Sequence, residues 1–129
     1  MKSILVLSAG ALMVLSSAAH AFLGWPPLRG DLKSAGVAES LMGALAVGWY
    51  FGSVAMLAFG AITLRSGLLL RRGDRSGVTP VRIIAACYVV FGVITFVSRN
   101  FNPHFLVFIV TGLLAGIPVL GKDRGAQST

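Results

Sequence analysis

Apolar residues run in four long blocks along this chain, separated by short polar or basic stretches. The blocks extend from Ile4 to Leu23, from Leu41 to Leu64, from about Pro80 to Ser98 and from about Pro103 to Leu120. Each is close to the roughly 18–20 residues that a helix needs to cross a hydrocarbon core of about 30 Å. Alternating segments of about ten residues, the mark of a transmembrane barrel, do not appear. An open sheet would leave its edge N–H and C=O groups unpaired in lipid. The pattern therefore predicts an all-α integral membrane protein, a compact bundle of four transmembrane helices. It forms a single domain over residues 1–129, with 121–129 as a polar tail expected to be disordered.

Punctuation between the blocks sets the expected helix ends. Pro26-Pro27 predicts the end of the first helix, because proline removes a donor and restricts the residue before it. Trp25 then stands where an interfacial aromatic anchor belongs. The same segment carries a second reading: Lys2, the apolar Ile4–Leu15 and Ala19-His20-Ala21 have the layout of a cleavable signal peptide. The apolar run continues through Ala21-Phe22-Leu23, so a retained helix is the expectation adopted. Trp25–Ala38 reads as a short polar connection. The second helix either stops at Leu64 or runs on through Leu68-Leu69-Leu70 to Arg71-Arg72. In the longer version Arg65 either snorkels to the headgroups or faces the bundle. Thr79-Pro80 and Asn102-Pro103 both read as helix starts, a capping side chain followed by proline.

Composition agrees with the pattern: 56% of residues are hydrophobic and 12% charged, where a soluble domain carries roughly a quarter charged. The net charge of +7 invites a nucleic-acid partner. That is set aside, because the basic residues flank apolar spans, where they serve topology and anionic headgroups. Arg65, Arg71, Arg72, Arg75 and Arg82 crowd one stretch against the single acid Asp74 and read as a membrane-surface loop. Lys2, these five arginines, Lys122 and Arg124 fall on one side; Arg29, Lys33 and Arg99 fall on the other. Eight against three predicts both termini in the cytoplasm of an inner or plasma membrane. The expected partners are the bilayer and either another membrane protein or a second copy of the chain.

Gly48-Trp49-Tyr50-Phe51-Gly52 and Gly112-Leu113-Leu114-Ala115-Gly116 are GxxxG motifs, whose spacing puts two glycines on one helix face for close backbone approach. They predict packing within the bundle or against a partner, with Gly43, Gly60 and Gly92 as further notches. Trp49 and Tyr50 read as an aromatic belt or as a pair facing a ligand. Cys87, the one cysteine, excludes an internal disulfide and reads as a small buried hydrophobe.

His20 and His104 are the only histidines. The topology puts both at the outer end of the bundle, with Glu39 nearby. Two imidazoles and a carboxylate suit a metal, and two imidazoles suit a haem iron; no particular cofactor follows from the residues alone. No acid lies mid-span, although proton-coupled transport commonly uses one. In size and four-helix layout the chain resembles the small multidrug exporters, but the acidic residue which that family carries in its first helix has no counterpart here. Its layout also resembles small bacterial four-helix membrane proteins of DoxX type. No family is assigned. With no Ser-His-Asp set, P-loop, HExxH or carboxylate pair, an enzyme lacks recognisable parts. The leading expectation is an accessory or structural subunit acting by helix packing. The alternatives are a metal-, haem- or quinone-binding redox protein built on His20 and His104, and a small permease for a neutral or apolar solute.

Overall fold

The computed structural model describes residues 1–121; Lys122, Asp123, Arg124 and the rest of the expected polar tail lie outside them. The described residues form four helices and no strand. They are α1 (Lys2–Ser34), α2 (Glu39–Arg71), α3 (Arg75–Ser98) and α4 (Pro103–Val119), and the first three are long and apolar enough to cross a membrane. The fourth is apolar but shorter.

Several helix ends differ from the sequence expectation. Pro26-Pro27 does not end α1. A π-helical turn, His20–Gly24, precedes the prolines, which then sit in the first turn of a new α-helical segment, Trp25–Ser34. Proline is tolerated in a first turn, where its missing N–H has no helical partner to lose. The helix therefore takes in most of the expected polar connection. Trp25 is buried inside the protein and is not a free interfacial anchor. The second helix takes the longer of its two forms and closes at Arg71, with Arg65 exposed on its surface.

The α3 helix begins ahead of Thr79-Pro80. The Asp74 carboxylate accepts from the Ser76 N–H at 2.8 Å, opening a short 3-10 turn that leads into the α-helical segment Val78–Ser98. That bond holds the Asp74 carboxyl below the usual carboxylate range. The side chain of Asn102 caps the start of α4, accepting from the His104 N–H at 3.0 Å.

α1 is the central helix. It packs along much of α2 on one side and against α4 on another, while α3 packs along α4. The core lies between α1, α3 and α4, with Val6, Ala9, Met13, Val81, Ile84 and Ala115 at its centre. Two crossings bring backbones into contact. A Cβ on Gly10 would lie 2.8 Å from the Leu64 nitrogen, and one on Gly60 would lie 2.9 Å from the Val14 nitrogen. In the second hairpin a Cβ on Gly92 would meet the Ile109 nitrogen at 2.9 Å, and one on Gly112 the Ala85 oxygen at 2.9 Å. No larger residue fits without moving a helix.

The fourth side of the ring, α2 against α3, is close chiefly at its loop end. α2 and α3 meet closely beside their connecting loop, where a Cβ on Gly77 would lie 2.8 Å from Ser66 Cα. Farther along, Phe59 reaches Tyr88 only edge to face, with ring centroids 6.3 Å apart. The Arg82 guanidinium forks onto the Val119 carbonyl at 2.9 and 2.6 Å and ties down the end of α4.

These contacts separate two kinds of glycine. Gly60→Ala puts a methyl group against backbone and should destabilise the detergent-solubilised protein by about 1–3 kcal/mol. Gly48→Ala meets nothing within 4 Å and should leave the thermal midpoint unchanged or slightly raised, since alanine is the better helix former. Equal midpoints for the two variants would show that the α1–α2 crossing is looser than these distances.

Candidate functional site

The site starts from the irregular turn in α1. A π turn shifts the helical hydrogen-bond register, so carbonyl groups around it need partners from elsewhere. The Trp49 indole N–H donates to the His20 carbonyl at 2.8 Å. The same indole stacks on the His20 imidazole, with ring centroids 3.9 Å apart and planes within 10° of parallel. Gly24 leaves room for this: a Cβ there would lie 2.7 Å from the Trp49 ring. Trp25 packs beside both Trp49 and Tyr50, at centroid distances of 6.0 and 6.1 Å. Below the turn, Ser17 donates to the Ser53 carbonyl at 2.7 Å and Ser53 to the Trp49 carbonyl at 3.2 Å. His20 is thus held from both backbone and ring, while no described residue makes a hydrogen bond to its imidazole nitrogens.

Two half-enclosed cavities meet at His20. One, of about 300 Å³, fills the seam between α2 and α3 and is walled by Met56, Phe59, Tyr88, Phe91 and Phe108, with Gly52 in its floor. The other, of about 440 Å³, lies between the π turn and the start of α4, where Trp49 and His104 face it together with His20. His20, Met56 and Phe108 belong to both walls. The result is one aromatic cleft with two compartments. Tyr88, only 6% exposed, brings a phenol hydroxyl that has no hydrogen-bond partner among the described residues.

The structure brings His20 and His104 to one cavity. It does not add Glu39, which is exposed in the first turn of α2. Among the described residues no three His, Cys, Asp or Glu side chains group closely enough to hold a metal. The GxxxG glycines divide. Gly112 and Gly116 face α3, Gly52 faces the His20 ring, and Gly48 faces nothing. The five arginines of the basic stretch are exposed. Cys87 is also exposed on α3, at the wall of the first cavity, and is not the buried hydrophobe expected.

Trp49 reads in the sequence as half of an aromatic belt or of a pair facing a ligand, but its role as the clamp on His20, and Met56, Phe59, Phe91 and Phe108 as walls, were not legible. An aromatic in an apolar span reads as lipid-facing or core, and nothing in its spacing marks a cavity. Tyr88 carried a usable signal: a hydroxyl amid an uninterrupted apolar run. No protein-family model, curated protein or solved structure matches the chain, so the geometry carries the functional argument.

An unpartnered buried hydroxyl is unfavourable by about 1–3 kcal/mol. Tyr88→Phe should therefore raise stability by about 1 kcal/mol, read as a higher thermal midpoint in detergent. A lower midpoint would mean that the hydroxyl finds a partner in the folded protein.

Proposed function

We propose that this is a multi-pass membrane protein, both termini cytoplasmic, whose cleft holds a lipid-soluble molecule with a flat polar ring, of the quinone class. The observation that carries the reading is His20. Its imidazole is held by Trp49, and its nitrogens, without a hydrogen-bond partner among the described residues, lie in the shared wall of two largely apolar and aromatic compartments. A neutral imidazole offers one donor and one acceptor, which matches a ring carbonyl or hydroxyl. Phe91 and Phe108, edge to face at 4.9 Å, give a ring surfaces to stack on. His104, across the second compartment, supplies a further polar contact. Binding by His20 requires that residues 1–21 stay in the mature chain. The packing-subunit reading rests on a separate observation, the open outer face of α2 at Gly43 and Gly48. A co-purifying membrane protein lost in Gly48→Leu would favour it.

A short-chain benzoquinone added to the purified protein should quench tryptophan fluorescence saturably, because Trp49 lines the cleft and the chain has two tryptophans in all. His20→Leu removes the hydrogen bond and should weaken binding roughly tenfold, as a loss of about 1.4 kcal/mol implies. Gly52→Phe should fill the first compartment and abolish binding there. Bound quinone should also slow thiol labelling of Cys87. Non-saturable quenching, or binding indifferent to both substitutions, would overturn the reading; a Soret band on purification would replace quinone with haem.

The topology rests on the bias of eight basic residues against three. Reporter fusions after Gly73 should read cytoplasm, and fusions after Gly30 should read the opposite side. An outside signal at Gly73 would reverse the layout.

A further inference from the structure

Tyr88 is the buried polar side chain for which packing gives no reason. Its ring is closely held. Phe59 meets it edge to face at a centroid distance of 6.3 Å, and Phe108 lies tilted against it at 5.9 Å. At its root a Cβ on Gly112 would lie 3.0 Å from the Tyr88 Cβ, so α4 presses on the base of the side chain. A ring held in this way cannot swing to find a partner for its oxygen, and the hydroxyl has none among the described residues. Buried polar groups are normally hydrogen-bonded, and an exception calls for a cause. Phenylalanine would fill the same space without an unmade bond. Packing therefore accounts for the ring and leaves the oxygen unexplained.

The compartment that Tyr88 lines supplies a cause. Its volume of about 300 Å³ is at the small end of ligand pockets, enough for one ring with short substituents. Apart from the weakly bonding Cys87 thiol, two hydrogen-bonding side chains belong to its wall: His20 from α1 and Tyr88 from α3. The imidazole edge is turned toward it, since a Cβ on Gly52, in the floor, would lie 3.8 Å from His20 Nε2. Both groups can donate, and they come from different helices, so one flat molecule meets them at separate edges. A ring with a single oxygen satisfies one of them and leaves the other unpaired. A para-quinone, with a carbonyl at each end of its ring, can satisfy both. We propose that Tyr88 is the specificity-determining residue of the cleft: its hydroxyl donates to the second carbonyl of a para-quinone whose first carbonyl accepts from His20. This assignment rests on the quinone reading of the cleft and narrows it to rings with two carbonyls.

The test uses the full chain in mild detergent, with duroquinone as the probe. Every ring carbon of duroquinone bears a methyl group or an oxygen, so the Cys87 thiol has no open position to attack. Durenol, the phenol of the same skeleton, carries one oxygen and is read by its displacement of duroquinone. Duroquinone should quench tryptophan fluorescence saturably, and Tyr88→Phe should weaken its binding about tenfold. Durenol can be satisfied by His20 alone, so its affinity should change less than about twofold, and the preference for duroquinone should fall accordingly. In infrared difference spectra both carbonyls of bound duroquinone should report hydrogen bonding, and only one of them in Tyr88→Phe. Cys87→Ala should leave both affinities in place; a tenfold loss there would pass the second carbonyl to the thiol and overturn the role of Tyr88. Equal losses for the two probes in Tyr88→Phe would also overturn it, by making Tyr88 a filler of the wall. So would a lower thermal midpoint for the empty variant, which would give the hydroxyl a partner inside the protein. Duroquinone binding that responds to His20→Leu and not to Tyr88→Phe would remove Tyr88 and keep the quinone cleft. Absence of saturable duroquinone binding to the native protein would remove the cleft reading and this assignment together.

Discussion

Backbone-to-backbone contact at four glycines governs how the helices are arranged. Gly10 and Gly60 lock α1 to α2, and Gly92 and Gly112 lock α3 to α4. In the membrane setting proposed above, lipid over the apolar outer surface would leave little hydrophobic drive between helices, and close van der Waals approach would supply much of the association. Two tight hairpins result, joined through α1 against α4. Nothing comparable knits α2 to α3 beyond the loop, where Gly77 sits against Ser66. Bulky side chains meet there instead, and bulky side chains leave gaps. The cleft is the gap left between two well-packed hairpins.

The second constraint is the demand that buried polar backbone be satisfied. A helix whose register slips in an apolar medium must find partners without water. The π turn at His20–Gly24 meets this through Trp49, and the serine pair Ser17 and Ser53 extends the same line of bonds between α1 and α2. A consequence is orientation. Because the indole is fixed by its bond to the His20 carbonyl, the imidazole stacked upon it is fixed as well, and its nitrogens are presented to the cavities instead of being spent on the backbone.

The all-helical class and the four helices were legible from hydropathy, but only three of the four reach the length of a span, and α4 falls short of it. The ends were less so. Pro26-Pro27 carries the physics of a stop, yet one wider turn ahead of it absorbs that physics, and nothing local in His20–Gly24 announces a π turn. Thr79-Pro80 carries the composition of a start, but Asp74 caps first. Glycine spacing misled in part: Gly10 and Gly60, which bring α1 and α2 into backbone contact, belong to no GxxxG motif, while Gly48 within one faces open space. Which side of a helix meets another helix depends on rotation about its axis, and a uniformly apolar span leaves that rotation unmarked. The histidines could be assigned a depth from topology, and depth alone does not bring two rings to one cavity; Trp49 and the π turn decide that.

The polar content of the cleft limits what it can hold. His20, His104 and the Tyr88 hydroxyl are the polar side chains of its wall on which a ligand's headgroup would depend, with small contributions from Ser16 and Cys87. Among the described residues no carboxylate, lysine or arginine lines either compartment. An ion entering there would give up hydration without meeting an opposite charge, and that loss is far larger than a few hydrogen bonds return. A neutral molecule faces no such penalty, and a flat one fits between rings already set edge to face. The formal charges lie elsewhere, at the loop end and on the exposed surface, where headgroups and water can solvate them. Among the described residues, charge and cleft are thus segregated along the bundle, in keeping with the neutral, lipid-soluble ligand proposed for the histidine end.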